Sequence, residues 1–232
     1  MPNIKEFKFE NKSELVAKLN KNVIKALSTG IEINGKASML LSGGTTPGPL
    51  YQSISQSELE WEKVFFAPTD ERWVAPDHKD SNEKLIRETL IQNQASNANY
   101  IGLKTSPENP IDGQKETEIL INKMPRPFDI VLLGMGTDGH TASLFPGVQD
   151  AIEAMDENND QLCAAIKRGN GEVDRITMTL NCLLDAKKII LYFYGDEKLA
   201  VFEKAKEAKS LSLPVSYLLH QNKTPVELYW SV

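Results

Sequence analysis

The sequence predicts an α/β fold built on a mostly parallel sheet flanked by helices. Three observations predict it. Short apolar runs alternate with helical patterns along the 232 residues. Two of those runs, 129–133 (DIVLL) and 189–194 (IILYFY), are near-continuously apolar, as strands covered on both faces are. Several runs end in turns rich in Gly, Thr or Asp that lead toward helices. There is no internal repeat and no Pro/Gly/Ser-rich linker, so residues 1–232 are read as one domain.

The elements follow in order. Residues 13–29 place Leu15, Val16, Leu19, Val23 and Leu27 at helical spacing. Ser13 is expected to cap this helix and Gly30 to end it. A strand at 37–41 then feeds the turn 42–48 and a helix over about 49–54. A strand at 64–67 ends in the turn 68–73, and Asp80-Ser81-Asn82-Glu83 offers caps for a helix through about 91. Residues 92–110 read as loop, 112–123 as helix and 129–133 as strand. Further strands are expected at 162–166, 176–180 and 189–194, a helix at 196–208 and a last strand within 226–230.

Composition narrows the function classes. Hydrophobic residues are 41% and charged residues 25%, as in ordinary globular chains. The longest apolar-aromatic run has far fewer than the roughly 18 residues of a membrane span. The opening MPNIKEFKFE has no apolar stretch of a secretory signal. Cys163 and Cys182 form no C-x-x-C and read as buried thiols of a cytoplasmic protein. His78, His140 and His220 are scattered, so no metal site is expected. The net charge of −6 argues against nonspecific nucleic-acid binding.

Three turns carry the chemistry. Ser42-Gly43-Gly44-Thr45-Thr46-Pro47 brings backbone N–H groups, hydroxyls and a helix start together, which suits a phosphate. The alternative is an ordinary strand-to-helix turn; it is not a Walker A loop, because no Gly-Lys-Ser/Thr follows. Asp70-Glu71-Arg72-Trp73 offers acids and an anion clamp, or else a salt-bridged surface turn. The third turn runs from Gly134 to His140. It spells G-x-G-x-x-G, yet Pro146 cuts short any helix after it, and no acid follows at the spacing a dinucleotide site needs. What remains is Asp138-Gly139-His140, a carboxylate two residues from an imidazole, fit for moving a proton. Arg175 precedes the strand at 176–180 and Lys198 sits in the first turn of the helix after 189–194; both suit phosphate or solvent equally. Arg168 lies in a Gly-flanked loop, 168–171, whose glycines permit movement. His78 and His220 have no such company and read as structural.

Taken together, residues 42–47, the run Asp70-Glu71-Arg72-Trp73-Val74 with Ser81-Asn82, LLGMGTDGHTASLFPG at 132–147 and Arg175-Ile176-Thr177-Met178-Thr179-Leu180 resemble the 6-phosphogluconolactonases, over about residues 10–230. The resemblance implies a Rossmann-like sheet with additional strands (NagB/RpiA/CoA transferase-like), no nucleotide and no metal or organic cofactor. It implies hydrolysis of 6-phospho-D-glucono-1,5-lactone, with His140, Asp138 and Arg72 catalytic. Ser42, Gly43, Gly44, Thr45, Asp70, Arg168, Arg175 and Lys198 are expected to bind substrate, by a monomer or homodimer. The related glucosamine-6-phosphate deaminases carry a glutamate five residues beyond the His, where this chain has Phe145. They also carry an aromatic residue where this chain has Arg72. A non-catalytic sugar-phosphate sensor is the other alternative, though a sensor has no need of the Asp138/His140 pair.

Overall fold

The computed structural model describes residues 4–169 and 171–232. Asn170, in the Gly-flanked loop, and the first three residues lie outside the described residues. The first half contains β1 (Ile4–Phe9), α1 (Lys12–Asn34), β2 (Ala37–Leu41), α2 (Gly48–Ser55), β3 (Val64–Pro68), β4 (Asp70–Arg72), α3 (Asn82–Thr89), β5 (Asn99–Tyr100) and α4 (Pro110–Ile121). After these come β6 (Ile130–Leu133), α5 (Gln149–Ala154), β7 (Cys163–Ile166), β8 (Arg175–Met178), α6 (Leu180–Leu184), β9 (Ile189–Tyr194), α7 (Asp196–Glu207), α8 (Val215–Leu219) and β10 (Val226–Ser231).

Seven strands form one sheet in the order β1-β10-β9-β6-β2-β3-β5, every pairing parallel. Strand alternation sorts its side chains to two faces. Ile130 and Leu132 of β6 join Ile190 and Tyr192 of β9 under α1 and α2, beside Leu15, Leu19, Val23, Leu27, Tyr51 and Ile54. Val131 and Leu133 join Ile189, Leu191 and Phe193 on the other face, with Phe202 of α7. Both faces are covered, which is why β6 and β9 are apolar throughout.

Several boundaries differ from the sequence expectation. Asn11, not Ser13, caps α1, its side chain accepting from the Glu14 N–H at 2.9 Å. Gly30 lies inside α1, where a Cβ would come within 2.6 Å of the Asp129 carboxylate; the helix stops at Gly35, whose φ is +73°. β1 was not foreseen, because its partner is the distant β10 and half its side chains are exposed. The loop 92–110 holds the two-residue β5, and α5, α6 and α8 were also unforeseen. Thr179 is not in a strand: it caps α6, accepting from the Cys182 N–H at 3.2 Å.

The larger correction concerns 68–73, read as a turn. Asp70–Arg72 is a strand, β4, and it pairs antiparallel with β8, which pairs antiparallel with β7. These three form a second, smaller sheet. Among the described residues no helix separates β7 from β8, and so short a connection permits only antiparallel pairing. Cys163 and Cys182 are free and buried, and burial pushes both thiols well above their ordinary value. No helix among the described residues is long and apolar enough to cross a membrane.

Candidate active site

The cleft opens where the turns after β2 and β6 meet the small sheet and the start of α7, and its volume is about 390 Å³. Ser42, Gly43, Gly44, Thr45, Asp70 and Arg72 line it, as do His140, Arg168, Arg175 and Lys198. Asp138 stands behind His140 rather than in the wall.

The first wall is the turn after β2. Gly44 takes φ +81°, which glycine adopts freely. Among the described residues, the N–H groups of Gly43, Gly44, Thr45 and Thr46 donate to no protein acceptor. Gly43 has no room for a side chain: a Cβ would fall 2.0 Å from Asn82 Oδ1. The Asn82 amide donates to the Asp70 carbonyl at 2.7 Å, so it joins this turn to β4. Ser42 Oγ accepts from the Gly134 N–H at 3.1 Å and joins the turn to the one after β6.

The second wall is β4 and β8. Side chains two apart on a strand share a face, so Asp70 and Arg72 face the cleft while Glu71 points away. Glu71 is buried and accepts the N–H groups of Arg72, Asn82 and Glu83 at 2.8, 2.8 and 2.7 Å. Burial pushes its carboxyl above the ordinary value, against the pull of those donors. Asp70 Oδ2 accepts from Ser143 Oγ at 2.6 Å. Arg72 lies directly across the strand pair from Arg175. Burial, and next the Arg72 charge, pushes the Arg175 guanidinium below its ordinary value. Among the described residues neither arginine pairs with a carboxylate, and neither does Lys198. Partial burial pulls the Lys198 ammonium down as well.

The third wall holds the imidazole. The turn is closed by Gly136 N–H donating to the His140 carbonyl at 2.9 Å and by Gly139 N–H donating to Gly136 at 3.0 Å. Gly139 has φ +80°. His140 packs on Gly136 so closely that a Cβ there would lie 2.3 Å from ring Cε1 and Nδ1. Asp138 Oδ1 sits 2.5 Å from His140 Nδ1 and accepts its backbone N–H at 3.1 Å. Partial burial raises the Asp138 carboxyl, but the His140 N–H and the ring outweigh it and hold it below its ordinary value. Nε2 has no protein partner among the described residues. Phe145 stacks against the ring at 4.7 Å. His78 and His220 lie elsewhere, His220 Nε2 standing 3.0 Å from the Ala205 carbonyl oxygen. Among the described residues no group of three or more His, Cys, Asp or Glu is placed to hold a metal ion.

Asn82, Ser143 and Tyr192 belong to the site but are not among the expected binding or catalytic residues, although Asn82 and Ser143 lie in the motifs that carry the resemblance. Asn82 follows the helix cap Ser81, and that signal concealed its second task. Functionally, the arrangement offers a proton acceptor beside an anion cradle.

The family model described as glucosamine-6-phosphate isomerases/6-phosphogluconolactonase matches residues 10–230. The 6-phosphogluconolactonase of Rhizobium meliloti is 33% identical over 224 residues, 96% of this chain and 97% of its own length. That of Helicobacter pylori is 34% identical, covering 97% of each chain. The crystal structure of a 6-phosphogluconolactonase from Shewanella baltica superposes with a TM-score of 0.94 at 36% identity, over 99% of this chain and 98% of that one. With its motifs, its sheet and nearly its whole length accounted for, the chain belongs to the glucosamine-6-phosphate isomerase/6-phosphogluconolactonase family.

Proposed function

We propose that this chain hydrolyses 6-phospho-D-glucono-1,5-lactone to 6-phospho-D-gluconate in the cytoplasm, as a step of the oxidative pentose phosphate pathway. The observation that carries the reading is Arg72 facing Arg175 across a strand pair at the edge of the cleft that holds His140. Like charges directly opposite destabilise a sheet. An anionic ligand removes that cost.

The phosphate sits on the free N–H groups of residues 43–46, with Arg175 and Lys198 as counter-charges. Asp138 accepts the Nδ1 proton, which leaves Nε2 as the base. Nε2 takes a proton from water, and the resulting hydroxide bonds to the lactone carbonyl carbon. Arg72 stabilises the oxyanion. The carbon–ring oxygen bond then breaks, and the imidazolium returns its proton to the leaving oxygen. Asp70, fixed by Ser143, accepts hydrogen bonds from sugar hydroxyls. The deaminase alternative is not favoured, because apolar Phe145 occupies the position where that family's pattern places the glutamate.

Freshly generated lactone tests the reading. The wild type is expected to hydrolyse it well above the spontaneous rate, and His140→Ala only at about that rate. Equal rates for the two proteins would remove His140 as the base. Equal rates on lactone without its phosphate would remove the anion cradle.

A further inference from the structure

Arg168 lines the cleft with the other cations but is placed differently. Its Nε donates to Glu172 Oε2 at 2.8 Å, and its terminal nitrogen lies 2.6 Å from the same oxygen. Its charge is therefore already answered, unlike those of Arg72, Arg175 and Lys198. Its guanidinium carbon stands 3.6 Å from the Phe145 ring centroid, within the range of a cation–π contact. The same Phe145 ring is 4.7 Å from His140, tilted by 39°. Gly136 backs the imidazole, Asp138 holds Nδ1, and Phe145 packs against the ring. Phe145 in turn packs against the core but is only partly buried, and Arg168 lies over its ring.

We infer that Arg168 is a positioning residue: held by Glu172, it fixes the Phe145 ring and thereby the plane of the His140 imidazole, and it does not hold the phosphate. The inference rests on the reading of His140 as the base. A proton acceptor works only within a narrow range of distance and angle to the attacking water, so loosening its neighbour slows turnover without weakening substrate binding.

Four variants and two readouts test this. Arg168→Met, Arg168→Lys, Phe145→Leu and Arg175→Met are assayed for kcat and KM on fresh lactone, each after circular dichroism and a cooperative unfolding transition show it to be folded. The ring Cε1–H resonances are recorded by NMR; the chain has three histidines, and His140→Gln assigns the one of interest. Arg168→Met is expected to lower kcat about fivefold with KM within about twofold. Its His140 resonance moves toward the position found in Phe145→Leu, as the ring current of Phe145 weakens. Arg168→Lys keeps a cation over the ring and restores part of both. Arg175→Met instead raises KM. A rise in KM with unchanged kcat in Arg168→Met would make Arg168 a phosphate ligand and overturn the inference, as would a His140 resonance that does not move. If the wild type fails to hydrolyse the lactone, the functional reading falls, while the resonance still decides the placement.

Discussion

Gly136 is a glycine because His140 occupies the space its side chain would fill. Gly136→Ala is therefore expected to displace the imidazole and cut kcat by about a hundredfold, since misplacing a reacting group by about an ångström has that scale of effect. Steady-state assays, with circular dichroism to check the fold, decide it. Lys198 supplies a pH prediction. Burial holds its ammonium below the ordinary 10.5, so it loses its proton earlier as pH rises. Affinity for 6-phosphogluconate should therefore begin to fall at a lower pH than deprotonation of an ordinary lysine would bring, and Lys198→Arg, charged throughout, should flatten that fall in calorimetric titrations. Residues whose chemistry resides in their own side chains, such as His140, Arg72 and Lys198, were legible in the sequence. Asn82 and Ser143 were not, because they matter through what they hold: the Asp70 carbonyl for one, its carboxylate for the other.

β4 shows why a motif needs its element. Asp70, Glu71 and Arg72 are adjacent in sequence, but a strand sends neighbours to opposite faces. Asp70 and Arg72 reach the cleft, and Glu71 anchors the backbone before and within α3. Read as a turn, the three looked like one charged cluster. The small sheet was hidden for a related reason: β7 and β8 look like two more parallel strands until the missing helix between them is weighed. The central strands were plain, since burial on both faces writes itself into sequence as an unbroken apolar run. The facing pair Arg72 and Arg175 carries a prediction of its own. Arg175→Met should raise the stability of the unliganded protein, by up to about 1 kcal/mol in urea denaturation, while KM for the lactone increases. Stability lost in that variant would mean the two charges are not in conflict.

Over the whole molecule the formal charge is −6, yet the cleft gathers Arg72, Arg175 and Lys198 without carboxylate partners among the described residues. A global excess of acid and a local excess of base coexist because field lines focus in a cleft. Added salt screens both. If the local field dominates substrate approach, kcat/KM falls as sodium chloride increases, chiefly through KM. A rise would show that the acidic exterior repels the lactone more than the cleft attracts it. The pairing of β1 with β10 has a consequence in time. β1 has no partner in this sheet until residues 226–231 exist, and β10 must enter between β1 and β9. On the ribosome, β1 emerges before the other strands of its sheet and pairs only after β10. Closing so long a loop late makes completion of the sheet a slow event. Meanwhile the flank of β9 stays open, a template for another chain's strand during synthesis.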